Sequence, residues 1–187
     1  MDVKQLLSFL HAVEPLKYNT RHSWTSSGRQ ESVAEHSWRL ALMAYLVKDE
    51  FPQADIDKVI LMCLVHDLGE AVTGDIPAFY KEEQHRSVER KAVHALLDPL
   101  PSPFREELSQ LFQEMEAQQT VEAKLYKALD KMECLIQHNE ADIKTWLDLE
   151  YSENLVYGAQ ETAFSPYTQA LRKEINQNSL DKAAAKQ

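Results

Sequence analysis

Glycine is scarce: the 187 residues contain 4, scattered at 28, 69, 74 and 158. A dinucleotide or phosphate-binding loop needs its glycines clustered. Gly28 and Gly158 stand alone, and Gly69 and Gly74 fit neither spacing. Cysteine is scarcer, with only Cys63 and Cys134, both in apolar helical contexts. Two isolated thiols make no disulfide framework, so a reducing, cytoplasmic setting is expected. The start, Met1-Asp2-Val3-Lys4-Gln5, lacks the basic opening and apolar core of a signal peptide. No apolar run approaches the ~20 residues of a membrane span, and no membrane partner is expected. Basic residues are outnumbered 20 to 30, for a formal charge of -10. That sign repels nucleic-acid polymers and anionic membranes. A small anionic substrate would need a metal or a few arginines to offset the field.

Strand signals are also missing, since no alternating run is long enough to support one. Helical periodicity is present almost throughout. Leu6, Leu7, Leu10 and Val13 share one face of 3–13, and residues 14–31 are irregular. Ser32 with Glu35 reads as a capping box opening a helix to about Lys48. Asp55 caps the next, reaching about Gly69, and 70–81, with Gly74 and Pro77, reads as a loop. Further helices are expected over 82–98, 103–117, 121–141 and 160–177. The fold class is therefore all-α, a bundle of about six or seven helices. It forms a single domain over 1–178, and 179–187 is expected as a disordered polar tail.

Polar residues on apolar stripes carry the functional signal. Stepping back four from Leu40 reaches His36, and four past Cys63 lies Asp67, next to His66. Asp130 flanks the stripe of Leu125, Leu129, Met132 and Ile136. Taken singly, each is more often a hydrogen-bonded core residue or a solvated boundary residue. Together, two carboxylates and two imidazoles buried near one another cost roughly several kcal/mol per uncompensated charge. A divalent cation supplies the missing charge, and these ligands suit Mn, Fe, Co, Ni or Zn. His66 and Asp67 project ~100° apart on a helix, so a shared ion must lie between their directions.

The order His36 … His66-Asp67 … Asp130 resembles the signature of the HD-domain metal-dependent phosphohydrolases. Glu31-Ser32-Val33-Ala34-Glu35-His36-Ser37 and Leu64-Val65-His66-Asp67-Leu68-Gly69-Glu70-Ala71-Val72-Thr73-Gly74-Asp75-Ile76-Pro77 resemble the branch that contains the 5′-deoxynucleotidases. The likeness covers roughly residues 5–145. It implies that His36, His66, Asp67 and Asp130 hold a divalent metal: Mn, Co, Mg, Fe, Ni or Zn. It implies a catalytic acid at Glu70 that positions or deprotonates the attacking water. Asp75 matches a family carboxylate. The likeness leaves two roles open there: a second cation held by Glu70, Asp75 and the main chain of Ile76, or a contact from Asp75 to the substrate's sugar. The simpler alternatives are a helix-end residue for Glu70 and a turn residue for Asp75.

Arg21-His22-Ser23-Trp24 resembles the arginine–tryptophan element of that branch, with two residues intervening. Arg21 would clamp phosphate and Trp24 would pack on a base or sugar; otherwise they are a surface Arg and a loop anchor. Arg29 and Arg39 are lesser candidates, Arg39 as a surface residue or ion-pair partner. His85 and His94 could hold a second metal, as in some phosphodiesterases of the family, but their charged context reads as solvated. His138 is expected at the surface, and His11 and His22 have no ligand-like partner. The expected activity is phosphomonoester hydrolysis of nucleoside 5′-monophosphates, most specifically by a 5′-deoxynucleotidase. Rivals are a phosphodiesterase or other nucleotide hydrolase, a metal-dependent oxygenase, and a nucleotide-sensing metal-binding module. Family members are commonly dimers, and Trp146, Leu147, Leu149 and Tyr151 would supply an apolar patch for a homodimer.

Overall fold

Leu125, Leu129 and Met132 recur at helical spacing and are fully buried, as is Ala128. The helix that carries them, α7 (Val121–Glu140), is the axis on which the chain packs. In the computed structural model, which describes residues 1–185, α7 contacts α2 (Val33–Leu46), α3 (Ile56–Val65), α6 (Phe104–Ala117) and α9 (Pro166–Ala184). Leu40, Val59, Met62 and Cys63 from α2 and α3 complete the main core. Each fully buried leucine contributes about 1.5–3 kcal/mol by leaving water. The remaining helices are α1 (Val3–Val13), α4 (Glu70–Thr73), α5 (Glu83–Leu97) and α8 (Glu150–Val156). Only the single-turn α4 and the short α8 were not anticipated as helices. At 7 residues α8 is too short to show a helical period.

Two further expectations change. Residues 14–31 contain a two-stranded antiparallel hairpin, β1 (Thr20–Trp24) with β2 (Gln30–Ser32). Its register is irregular and β2 is three residues long, too short to leave an alternating pattern. The expected disordered tail is instead helical to Ala184. Ser179 is buried, and its hydroxyl donates to Asn139 Oδ1 at 2.8 Å. Lys186 and Gln187 lie outside the described residues.

The capping box at α2 forms as its sequence requires: Ser32 Oγ accepts from the Glu35 amide at 3.3 Å, and Glu35 accepts from the Ser32 amide at 2.9 Å. Ser32→Ala is expected to cost about 1 kcal/mol in chemical denaturation. Hydrogen bonding by Arg29 lowers Glu35 from 4.5 to about 2, although burial opposes it. The sign is that of a depressed carboxyl: its contribution to stability is full above 4.5 and is lost as pH falls toward 2.

Candidate metal centre and active site

Three segments converge. His36 lies in the first turn of α2 and is fully buried, and Asp130 lies on α7. His66 and Asp67 do not project from a continuing helix. α3 ends at Val65, with His66 as its C-cap, and a turn carries both residues on to α4.

The tautomers follow from the partners. His36 Nδ1 bonds Glu133 Oε2 and His66 Nδ1 lies 3.0 Å from the Cys63 carbonyl, so both must donate there to pure acceptors. Each Nε2 is then left with a lone pair, and the two face each other at 3.3 Å. Asp130 Oδ1 lies 3.3 Å from His36 Nε2 and 3.7 Å from His66 Nε2. Asp67 Oδ2 lies 3.1 Å from His66 Nε2. In these tautomers His36, His66 and Asp67 offer ligand atoms within 4.8 Å of one another with no hydrogen to share, and Asp130 Oδ1 lies beside both imidazoles. That arrangement fits a cation, and the mixed imidazole–carboxylate set suits a divalent transition metal. Without a cation a proton takes that place on His36: burial and Arg21 push it down, but Glu133 and Asp130 raise it to about 10.

Glu133 was missed by the sequence reading, although it lies four residues past Leu129 on the core stripe. It is fully buried and also accepts from Arg39 Nε at 2.6 Å, while Arg39 bonds Gln137 at 2.7 Å and Glu140 at 2.5 Å. Arg39 is therefore an ion-pair partner, and it fixes the carboxylate that orients His36.

A cavity of about 350 Å³ opens beside this point, lined by Arg21, Asp67, Glu70, Asp75, Ile76 and Asp130 among others. Arg21 NH1 lies 3.6 Å from Asp67 Oδ2, and its Nε lies 3.4 Å from Glu31. Burial, helped by the Asp67 and Asp75 carboxylates, raises Glu70 to about 9, against the pull of Lys81. For a second cation the grouping is Asp67, Glu70 and Glu89, whereas Asp75 and Ile76 stand in the cavity wall outside it. Lys81 Nζ already lies 3.4 Å from Glu70 and 2.5 Å from Glu89. Trp24 is half-buried outside the cavity wall, and its carbonyl accepts from Gln137 Nε2 at 2.6 Å, which ties the hairpin to α7. Arg29 pairs with Glu35 on the surface.

The histidines sort differently from expectation in two cases. His85 caps α5 by accepting from the Glu82 amide, and His94 is exposed. His138 is not at the surface: it is 8% exposed, lines the cavity and bonds Asn154 Oδ1 at 3.2 Å. Its carbonyl accepts from Trp146 Nε1, so Trp146 is buried and forms no exposed patch. His22 finds a partner the sequence hid, Glu150 Oε1 at 3.2 Å.

Gly69 sets the spacing of the turn. A Cβ there would lie 2.8 Å from Glu89 Cγ and 2.9 Å from the Glu89 carbonyl. Gly69→Ala is therefore expected to cost ~1–3 kcal/mol as the turn and α5 separate, and to weaken metal binding. Denaturation and metal titration check both.

A family model for the HD domain matches residues 13–172, and the chain belongs to the HD-domain family. Within the similar proteins, human 5′-deoxynucleotidase HDDC2 is 39% identical over 153 residues, which cover 79% of this chain and 71% of that protein. The fission yeast (Schizosaccharomyces pombe) 5′-deoxynucleotidase hdd1 is 32% identical over 147 residues, 74% of this chain and 73% of that protein. In solved structures, a predicted metal-dependent phosphohydrolase from Magnetospirillum magnetotacticum superposes with a TM-score of 0.72 at 30% identity, covering 94% of this chain and 93% of its own.

Proposed function

We propose that this chain hydrolyses deoxynucleoside 5′-monophosphates to the deoxynucleoside and inorganic phosphate. The observation that carries the reading is the convergence of two imidazole lone pairs and two carboxylates at the wall of a cavity that also holds Arg21 and Glu70. His36, His66, Asp67 and Asp130 would hold the divalent ion: Mn, Co, Mg, Fe, Ni or Zn. When bound, such an ion lowers the pKa of water and offsets phosphoryl charge. Glu70 aligns the attacking water and accepts its proton. Arg21 meets the non-bridging oxygens. Asp75, which lines the cavity, would contact the sugar. Of the two histidines expected to hold a diesterase's second metal, His85 caps α5 and His94 is exposed, which does not favour a diester reading.

Cytoplasmic residence and a homodimer complete the reading. The free thiols of Cys63 and Cys134 support the first. The exposed apolar row Trp38, Leu42, Tyr45 and Leu46 along α2 supports the second. Among the described residues no helix is long and apolar enough to cross a membrane. The test is phosphate release from deoxy- and ribonucleoside 5′-monophosphates, 3′-monophosphates and a phosphodiester, with each divalent metal. Release from the deoxynucleoside 5′-monophosphates supports the reading. Preferred cleavage of the diester, or nucleotide binding without release, contradicts it.

A further inference from the structure

Asp130 divides its carboxylate between two tasks. Oδ1 faces the imidazole nitrogens, at 3.3 Å from His36 and 3.7 Å from His66. Oδ2 faces two ammonium groups from its own helix: Lys127 Nζ at 2.9 Å and Lys131 Nζ at 3.8 Å. Both lysines line the cavity beside Arg21. Their stems are held in place, because Lys131 Nζ donates to the Tyr157 hydroxyl at 2.7 Å and sits 4.6 Å over that ring. Lys127 Nζ lies 5.6 Å over the ring of Tyr126.

A divalent ion bound by Asp67 and Asp130 would compete with both ammoniums for the Asp130 carboxylate that they face. Arg21 is paired with Glu31 and Asp67, and Lys81 with Glu70 and Glu89. A cation whose carboxylate is drawn to another charge is stabilised by a ligand that brings an anion. Each ammonium has three donors, and the bonds to Asp130 and Tyr157 leave some of them free. A phosphate monoester dianion carries the charge that offsets the pair, and its oxygens accept several such bonds.

We infer that Lys127 and Lys131, flanking Asp130 on α7, form a clamp for the phosphate dianion on the side of the metal centre away from the histidines. The inference rests on the phosphomonoesterase reading above, and it adds a phosphate-binding element that the sequence pattern did not single out. The two lysines lie one turn before Asp130 and directly after it, so a single helix places the anion clamp and a metal-binding carboxylate in fixed register.

The experiment is titration of the metal-loaded protein with inorganic phosphate by calorimetry, together with elemental analysis of bound metal. Lys131→Gln is expected to weaken phosphate binding roughly tenfold or more, the scale of one charge-assisted hydrogen bond, with metal content unchanged. Lys131→Arg should recover most of the affinity, because it restores the charge. Lys127→Gln should weaken phosphate binding in the same way. Phosphate affinity unchanged in Lys131→Gln would overturn the clamp. Loss of metal along with phosphate would also overturn it, since the lysine would then serve Asp130 alone. Lysine-dependent phosphate binding in a protein that releases phosphate from no deoxynucleotide would keep the clamp and remove the nucleotidase reading. Deoxynucleotide turnover with phosphate affinity untouched by Lys131→Gln would do the reverse.

Discussion

Asp67→Ala is expected to remove the divalent ion and to lower turnover by ~10³-fold or more, since a metal supplies several kcal/mol of charge stabilisation in phosphoryl chemistry. The carboxylate lies 3.1 Å from His66 Nε2 and 3.6 Å from Arg21 NH1. Burial works to raise it, but its contacts with His66 and the Arg21 guanidinium hold it well below the usual carboxylate range. Removing it takes away a ligand and leaves the Arg21 guanidinium with Glu31 alone. The fold should survive, because Asp67 sits in the turn between α3 and α4 and not in the leucine core. Two measurements check this. Elemental analysis should find metal in the parent and little in the variant. A chelator should lower the melting temperature of the parent and leave that of the variant unmoved, as linkage requires.

Glu70→Gln is expected to lower turnover by ~10²–10⁴-fold while the first metal and the fold are kept. The change preserves size and one acceptor and removes basicity. At about 9, Glu70 is protonated at neutral pH and is no base. Two of the causes after burial are the negative charges of Asp67 and Asp75, and a cation held by Asp67 relieves that repulsion. A bound cation therefore favours the charged form of Glu70, against the burial that opposes it. Metal binding at neutral pH should accordingly release protons, and Glu70→Gln should release fewer. If Glu70 holds a second cation with Asp67 and Glu89, the variant should also lower metal stoichiometry, and excess metal should partly restore the rate. Near-normal turnover at all metal concentrations would remove Glu70 from the mechanism.

The residues that sequence reasoning could find are those that break a pattern. His36 and Asp67 stand where the apolar stripes of α2 and α3 call for aliphatic side chains, and Asp130 stands at the flank of the α7 stripe. Helix positions were legible for a related reason: Ser32 and Asp55 each accept a bond from an amide three residues on. Glu133 left a signal of the same kind, an acidic residue four past Leu129, but its meaning depends on a partner 97 positions away in the chain. Lys127 and Lys131 left none, because lysine on an amphipathic helix is ordinary until the neighbouring helices show that it faces a cavity. His138 looked solvated for the same reason: α8, which supplies Glu150 and Asn154 to cover it, is only 7 residues long. The hairpin escaped notice because its pairing is irregular and one strand spans three residues.

The central claim is that this chain performs metal-dependent hydrolysis of deoxynucleoside 5′-monophosphates. Its most direct test is phosphate release by chelator-stripped protein before and after single divalent metals are restored. The account predicts no release from the stripped protein, and recovery with at least one metal on deoxynucleoside 5′-monophosphates that Asp67→Ala does not share. Equal release with and without metal, or recovery that Asp67→Ala retains, would contradict it.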